Sequence, residues 1–414
     1  MKIIILTQYF PPEIGAPQNR LYELAVRLAD DGIDVQIFTA MPNYPQMEIA
    51  TEYKGKWYVY ETKNNLKIHR SFIYVSKSKS IVLRLLNYFS FVFSSLLLGT
   101  LKLKKADILI CESPPLFLGI SGWILSKFKH AKFIFNVSDL WPESAEKLGL
   151  VTNKTFLKMA TLLEEFCYRK STIITGQTQG ICKDIKQRFP QKEVYWLPNG
   201  VDEKFFNIHA SEKLSDWRSD NDFADTDFIL LYAGIIGHAQ GLEVIINAAE
   251  KLVNNPSIKF ILLGVGPEKE KLVALAHEKK LKSVFFFDAQ PKAMMPSIVN
   301  AIDVAVIPLK KLDLFLGAIP SKIFENLAMK KPILLGVDGE ARSLFIEKGN
   351  AGLFFEPENH LDLADKTMQL YNDRKSVEDY GINGYNYVLN NFSRNKISND
   401  LITELKKLIV NENR

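Results

Sequence analysis

The chain has 414 residues, 47% of them hydrophobic and 24% charged, which exceeds one ordinary hydrophobic core and suits two α/β domains of roughly 200 residues each. That balance excludes a disordered, fibrous or disulfide-scaffold protein. The formal net charge is +5, and Cys111, Cys167 and Cys182 are odd in number and lack C-x-x-C spacing, so they read as reduced cytosolic thiols.

The chain opens on a strand-like run, Lys2 to Thr7, with no basic and apolar leader before it, so no export signal is expected. A turn, Gln8 to Ala16, leads into a helix carrying Leu21, Leu24, Ala25 and Leu28. Its small residues Gly15 and Ala16 let another molecule's polar groups approach the backbone; the plainer reading is a tight βα connection, and G-x-G-x-x-G is absent. After a strand at Val35 to Thr39, the stretch Ala50 to Ile110 holds eleven Lys or Arg against three acids, a net of +8. Such a surplus suits an anionic membrane surface or a phosphorylated acceptor, or is simply a solvated face. Within it, the 17 residues Leu85 to Leu101 carry no charge. A span needs roughly 20 apolar residues, so this is a core helix or one lying in the bilayer surface, as Tyr88, Phe89, Phe91 and Phe93 with basic flanks suggest.

Further strands are expected at Asp107 to Cys111, Lys132 to Asn136, Thr172 to Thr175 and Val194 to Leu197. The fourth strand of this half ends in Asn136-Val137-Ser138-Asp139-Leu140-Trp141. At a strand's carboxyl end, Asp139 can orient or deprotonate a hydroxyl and Trp141 can stack on a sugar; the alternative makes Asp139 a helix cap and Trp141 filler. Pro198, Asn199 and Gly200 mark the break between halves, followed by a polar stretch from Ser215 to Asp227.

The second half repeats the alternation, with strands at Phe228 to Ala233, Lys259 to Gly264, Val284 to Phe287, Val304 to Pro308, Ile333 to Gly336 and Gly352 to Phe355. The loop after the first contains Gly234, Gly237 and Gly241, room for a phosphate at a helix N-terminus, and a similar turn has Gly264 and Gly266. In Pro320-Ser321-Lys322-Ile323-Phe324-Glu325 a helix start and an ammonium can hold a diphosphate, while Glu325, one turn on, can accept two ribose hydroxyls. The pair Asp225 and Asp227 precedes a strand, the wrong end of a sheet for a metal-bound D-x-D, and the six histidines offer no i, i+4 metal pair. A closing stripe, Ile397 to Val410, is amphipathic and can pack on either domain.

The order of the Gly15 turn, the stretch from Leu197 to Asp202, the turn at 234 to 241, Gly264 with Gly266, and the Pro320 to Ala328 helix resembles glycosyltransferase family 4, the retaining GT-B enzymes. Asp139 to Ser144 (D-L-W-P-E-S), Ala239 to Leu242 (A-Q-G-L) and Pro320 to Glu325 (P-S-K-I-F-E) are similar to the bacterial N-acetyl-L-fucosaminyltransferase-like branch. The resemblance implies two Rossmann-like doubly wound parallel-sheet domains facing a cleft. These are an acceptor domain, 1–200, joined by a returning helix, 391–414, and a nucleotide-sugar domain, 201–390. It places Gly15 and Ala16 by the donor phosphates and sugar, Gly237, Gln240 and Gly241 along the diphosphate, Glu325 on the ribose, and the stretch beginning at Asp288 near the base. Asn136, Asp139 and Trp141 would meet the acceptor.

Three departures from the family pattern stand out: Gly317 replaces a common sugar-contacting Glu, His238 and Gln240 stand where Arg and Lys are usual, and Asn136 stands where many relatives have a His beside the reacting carbon. Lys322 and backbone dipoles must then carry the phosphate charge, and an N-acetylated or deoxy sugar becomes the expected donor group. The expected reaction moves a sugar from a UDP-sugar to a polyprenyl-diphosphate-linked saccharide at the cytoplasmic face of a bacterial membrane, in capsule or O-antigen synthesis. No metal, other cofactor or nucleic acid is expected to take part. A nucleotide-sugar 2-epimerase of the same fold and a non-catalytic sugar-nucleotide binder are the alternatives.

Overall fold

The computed structural model describes the chain except residues 14, 79, 148, 150, 208–216 and 411–414. Ile14 of the first turn, Lys79 of the basic stretch, the start of the polar stretch at Ser215, and the last four residues of the closing segment thus lie outside the described residues.

The chain divides into two units, Met1–Asn199 with Ile397–Arg414, and Gly200–Lys396. The return to the first unit falls at Ile397, later than the 391 suggested by the family pattern.

The first unit is built on eight strands: β1 (Lys2–Leu6), β2 (Asp34–Ala40), β3 (Tyr58–Lys63), β4 (Leu66–Ser71), β5 (Ile108–Ser113), β6 (Lys132–Val137), β7 (Ile173–Gly176) and β8 (Glu193–Trp196). Their order is β3-β4-β2-β1-β5-β6-β7-β8, and all pairs are parallel except β3 with β4. The inner strands are apolar on both sides because both faces are covered. Ile4, Leu6, Leu109, Cys111, Phe133 and Phe135 enter one core, while Ile3, Ile5, Ile108, Ile110 and Ile134 enter the other.

Helices α1 (Ala16–Asp30), α2 (Ile81–Lys102), α3 (Leu118–Lys129), α4 (Glu143–Lys147), α5 (Lys154–Lys170) and α6 (Gln179–Arg188) connect these strands. The closing helix, Arg394–Val410, adds Ile397, Leu401, Ile402 and Leu405 to the core that also holds Leu21 and Leu24 of α1. Its apolar stripe therefore belongs to the first unit.

The hairpin β3–β4 is a pair that strand-by-strand reading misses. Its turn residues Asn64 and Asn65 have φ of 48° and 61°, the left-handed pair that a two-residue hairpin requires. Part of the basic surplus is internal to this region. Arg70 is fully buried and bonds Glu61 and the Pro11 carbonyl, each at 2.5 Å.

The second unit has six parallel strands, β9 (Phe228–Ala233), β10 (Ile258–Leu263), β11 (Val284–Phe287), β12 (Val304–Pro308), β13 (Ile333–Gly336) and β14 (Gly352–Phe354), in the order β11-β10-β9-β12-β13-β14. Neighbouring β10 and β12 lie on opposite sides of β9, a reversal of strand order that opens a crevice at the carboxyl ends.

Candidate functional site

A cavity of about 280 Å³ lies at the carboxyl ends of β9 and β10, walled by Gly234, Gly264, Gln290, Lys322, Glu325 and Asn326 among others, all of the second unit. Its floor exists because two loops run unusually close. At Gly264, φ +150°, a Cβ would lie 1.8 Å from the Gly234 carbonyl oxygen, and at Gly266, φ +159°, it would lie 2.2 Å from that of Ile236. The Gly234 and Ile236 amides donate across to the Leu263 and Val265 carbonyls at 2.9 Å. These glycines, expected to make room for phosphate, first make room for each other's backbone. Gly264 still reaches the cavity; Gly266 is not among its lining residues.

Lys322 opens the helix Lys322–Ala328 after the cap residue Ser321. Its Nζ sits 3.7 Å from the centre of the Tyr232 ring. A Cβ at Gly234 would come within 2.9 Å of that nitrogen, so the glycine opens the space the ammonium uses. Burial lowers the Lys322 pKa to about 7, with Glu325 pulling the other way. Burial also pushes the Tyr232 phenol up, keeping it neutral, and its hydroxyl donates to the Ile235 carbonyl at 2.6 Å.

Several expected donor contacts are placed differently. The Ile323 side chain is fully buried and its amide donates to the Pro320 carbonyl, as Phe324's does to Ser321, both at 3.1 Å. This correction removes Ile323 from the site and leaves the amides of Ser321 and Lys322 without a main-chain acceptor among the described residues. The Asp288 carboxylate turns to Lys269 Nζ at 2.6 Å, while Ala289 and Gln290 line the cavity. Lys269 also donates to the carbonyls of Gly264 and Phe287, each at 3.2 Å, stapling the ends of β10 and β11.

Gly237 and Gly241 line a separate cavity of about 220 Å³ with His238, Glu268, Lys271 and Lys310. Gln240 lies in the short turn His238–Gln240 between those glycines and is not a lining residue of either cavity. Sequence reasoning missed Tyr232, Gln290 and Asn326. Asn326 is 5% exposed and donates to the Lys322 carbonyl at 2.7 Å, leaving Oδ1 without a partner among the described residues. Its spacing of four from Lys322 was the available signal.

In the first unit, the carboxyl ends of β5, β6 and β7 are closed by a buried polar network. Arg20 Nη2 reaches Glu112 at 2.5 Å and the Ser138 hydroxyl at 2.7 Å. Ser138 and the Asn136 amide both donate to Glu112, and the Thr175 hydroxyl donates to Asn136 at 2.6 Å. Asn136 is 1% exposed. Expected beside the acceptor, it is instead consumed by this network, which fixes the start of the loop holding Asp139.

Asp139 itself is exposed. It accepts from the Ser144 hydroxyl at 2.8 Å, and partial desolvation raises its pKa. Trp141 is half-buried and meets Phe117 and Phe156 edge-on, with ring centres at 5.7 and 6.1 Å. Gly15 caps α1 in extended backbone with no side-chain cap, and the Gln18 side chain folds against it. Of Ala16 only the backbone, the first residue of α1, is described. Among the described residues no three His, Cys, Asp or Glu side chains gather as metal ligands.

Two doubly wound parallel sheets, one with a lysine and a glutamate at a loop-walled cavity, define the GT-B class of fold. Solved structures agree. Sucrose-phosphate synthase from Thermosynechococcus elongatus superposes with a TM-score of 0.74 at 16% identity, over 99% of each chain. Anabaena Alr3699/HepE in complex with UDP and glucose gives 0.71 at 15%, over 98% of this chain and 100% of that one.

By sequence, the profile of Glycosyltransferase Family 4 matches residues 18–205 and that of Glycosyl transferases group 1 matches 215–387. The Escherichia coli (strain K12) protein assigned to colanic acid biosynthesis as glycosyl transferase WcaI is 28% identical over 334 residues, 80% of this chain and 81% of that protein. The chain is a family 4-like glycosyltransferase.

Proposed function

We propose that the protein transfers a sugar from a UDP-sugar to a polyprenyl-diphosphate-linked saccharide, with retention at the anomeric carbon, in bacterial surface polysaccharide assembly. The observation that carries this reading is the pairing of Lys322 and Glu325 on one wall of the second unit's cavity. Glu325 binds the ribose hydroxyls and Gln290 stands nearest the base. Lys322, with the amides of Ser321 and Lys322, meets the diphosphate. The UDP and glucose bound in the Anabaena structure, and the colanic acid assignment of the Escherichia coli relative, support donor type and pathway class.

The sugar is an N-acetylated or deoxy hexose, of which N-acetyl-L-fucosamine is one, since Gly317 offers no carboxylate to further hydroxyls. No metal is required: the leaving diphosphate meets the lysine and the helix start. In a front-face displacement the departing phosphate oxygen takes the acceptor's proton as the new glycosidic bond forms, and Lys322 stabilises charge that grows in that step. Asp139 orients the acceptor hydroxyl, and Trp141 offers its open face to the saccharide.

The acceptor's lipid explains the outer face of α2. Val82, Leu86, Phe89, Phe93, Leu97 and Leu101 form one exposed apolar stripe flanked by exposed Arg84, Lys102, Lys104 and Lys105. The helix is long and apolar enough to cross a membrane by length and composition. Its other face is committed, since Asn87 donates to the Tyr74 carbonyl at 2.6 Å and Ser95 to Ser121 at 2.9 Å. It therefore rests in the cytoplasmic surface of an anionic bilayer.

A panel of nucleotide sugars scored by thermal shift, followed by product analysis on lipid-linked acceptors, tests the reading. Epimer formation from donor alone would replace it with a 2-epimerase, and UDP binding with no turnover on any acceptor would reduce it to a binding protein. Lys322→Ala should lower turnover by about 100- to 1,000-fold while changing nucleotide-sugar affinity only a few-fold. Unchanged turnover would remove Lys322 from the chemistry.

A further inference from the structure

The leaving-group lysine has an unusual neighbour. Lys322 Nζ lies over the face of the Tyr232 ring at 3.7 Å from its centre. No salt bridge holds it among the described residues, and the nearest acid affecting it is Glu325. The ring itself is held in place by its surroundings. Tyr232 is 1% exposed at the end of β9, packed in the core with Phe228 and Leu230, and its hydroxyl is tied to the Ile235 carbonyl. An aromatic face attracts an ammonium through its quadrupole, most strongly where water is excluded. A lysine on a flexible four-carbon stem otherwise samples many rotamers, and ordering it on ligand binding costs affinity.

We propose that Tyr232 is the positioning residue of the leaving-group lysine: its ring face and the missing Cβ of Gly234 hold the Lys322 ammonium at the diphosphate position before the donor arrives. This rests on the reading of the cavity as a nucleoside diphosphate site. The ring supplies attraction without a counter-charge, and because burial lowers the Lys322 pKa to about 7, the lysine is only partly charged at neutral pH until the anionic diphosphate arrives and favours its protonated form. A carboxylate in the same place would neutralise the ammonium. The effect should appear in binding of the free diphosphate, whose charge is that of the departed leaving group, and not in binding of the nucleoside.

The test measures affinities of UDP and uridine for the full-length chain by calorimetry. Tyr232→Leu should weaken UDP by about tenfold and leave uridine unchanged, whereas Tyr232→Phe keeps the ring and should stay within about twofold of wild type. In a Lys322→Ala background, Tyr232→Leu should then cost UDP less than about twofold, because the partner is gone.

Tyr232 is a core residue, so Tyr232→Leu can fail to fold. Graded fluorination of a phenylalanine at position 232 keeps its shape while draining the ring face, and UDP affinity should fall with each added fluorine. A flat fluorine series, additive losses in the double variant, or equal loss of uridine would overturn the proposal. Wild-type protein that binds neither UDP nor GDP, dTDP or ADP would overturn the diphosphate reading of the cavity, and the inference with it.

Discussion

The carboxyl ends of the two sheets differ in what lies beside their leading strands, an open cavity walled by glycines in the second unit and a closed polar network on one side of β1 in the first. Beyond β9 and β10, glycines without side chains and one lysine over an aromatic ring leave an open cavity. Beyond β5 and β6, Arg20, Glu112, Asn136, Ser138 and Thr175 fill the space with hydrogen bonds to one another, and the first unit's own opening, about 440 Å³, lies instead beyond β1 and β2. Strand ends attract ligands because loops and helix starts present backbone donors there. Whether one binds depends on whether the chain has already satisfied those groups itself. In the second unit the loop amides of Gly234 and Ile236 are satisfied and only the amides of Ser321 and Lys322 keep no main-chain acceptor among the described residues, while in the first the polar side chains hold the start of the loop of Asp139 and Trp141 in shape.

This contrast predicts opposite consequences for mutation, beginning with the largest. Arg20→Ala strands the Glu112 carboxylate, 3% exposed, without its cation. Breaking a buried ion pair from one side typically costs about 3–5 kcal/mol. The loss should appear in urea unfolding followed by hydrogen exchange at β5 and β6, with UDP affinity at native conditions retained. A destabilisation below about 1 kcal/mol would mean the network is dispensable packing.

Glu325→Ala should behave in reverse. Stability should change little, whereas UDP and uridine should both weaken by about 10- to 100-fold, since hydrogen bonds to a charged group contribute about 1.5–3 kcal/mol. Loss of UDP without loss of uridine would move Glu325 from the ribose to the phosphates.

The six strands of the second unit and the inner strands of the first were legible because strands buried on both faces are written as unbroken apolar runs. The hairpin β3–β4 was hidden because Tyr-Val-Tyr-Glu-Thr-Lys is half solvated and reads as part of a basic stretch, even though Asn64-Asn65 is a hairpin turn. At the site, Lys322, Glu325 and Gly264 were visible as local motifs. Tyr232 was not, because its contact with Lys322 spans ninety positions and only the folded chain brings them together. Asn136 illustrates the converse error. An amide at a strand's end looks available until Glu112 and Thr175, from the flanking strands, are seen to claim both of its ends.

The smallest expected effect concerns the exposed apolar stripe of α2. On α2, Phe93 is 66% and Leu97 52% exposed, one turn apart on the outer stripe, while nearby Phe91, Ser94 and Ser95 face inward and are buried. Replacing Phe93 and Leu97 with serine therefore leaves the inner contacts intact and removes two side chains whose full burial is worth about 1.5–3 kcal/mol each. Side chains that reach only the headgroup boundary gain part of that, so cosedimentation with vesicles containing anionic lipid should fall by about tenfold. Exposed Lys102, Lys104 and Lys105 add attraction of about 1 kcal/mol per charge near such a surface, so raising the salt should weaken binding further in the double variant than apolar loss alone. Partitioning unchanged by the two serines, but abolished by salt, would assign the membrane contact to the basic flank and leave the stripe for another protein.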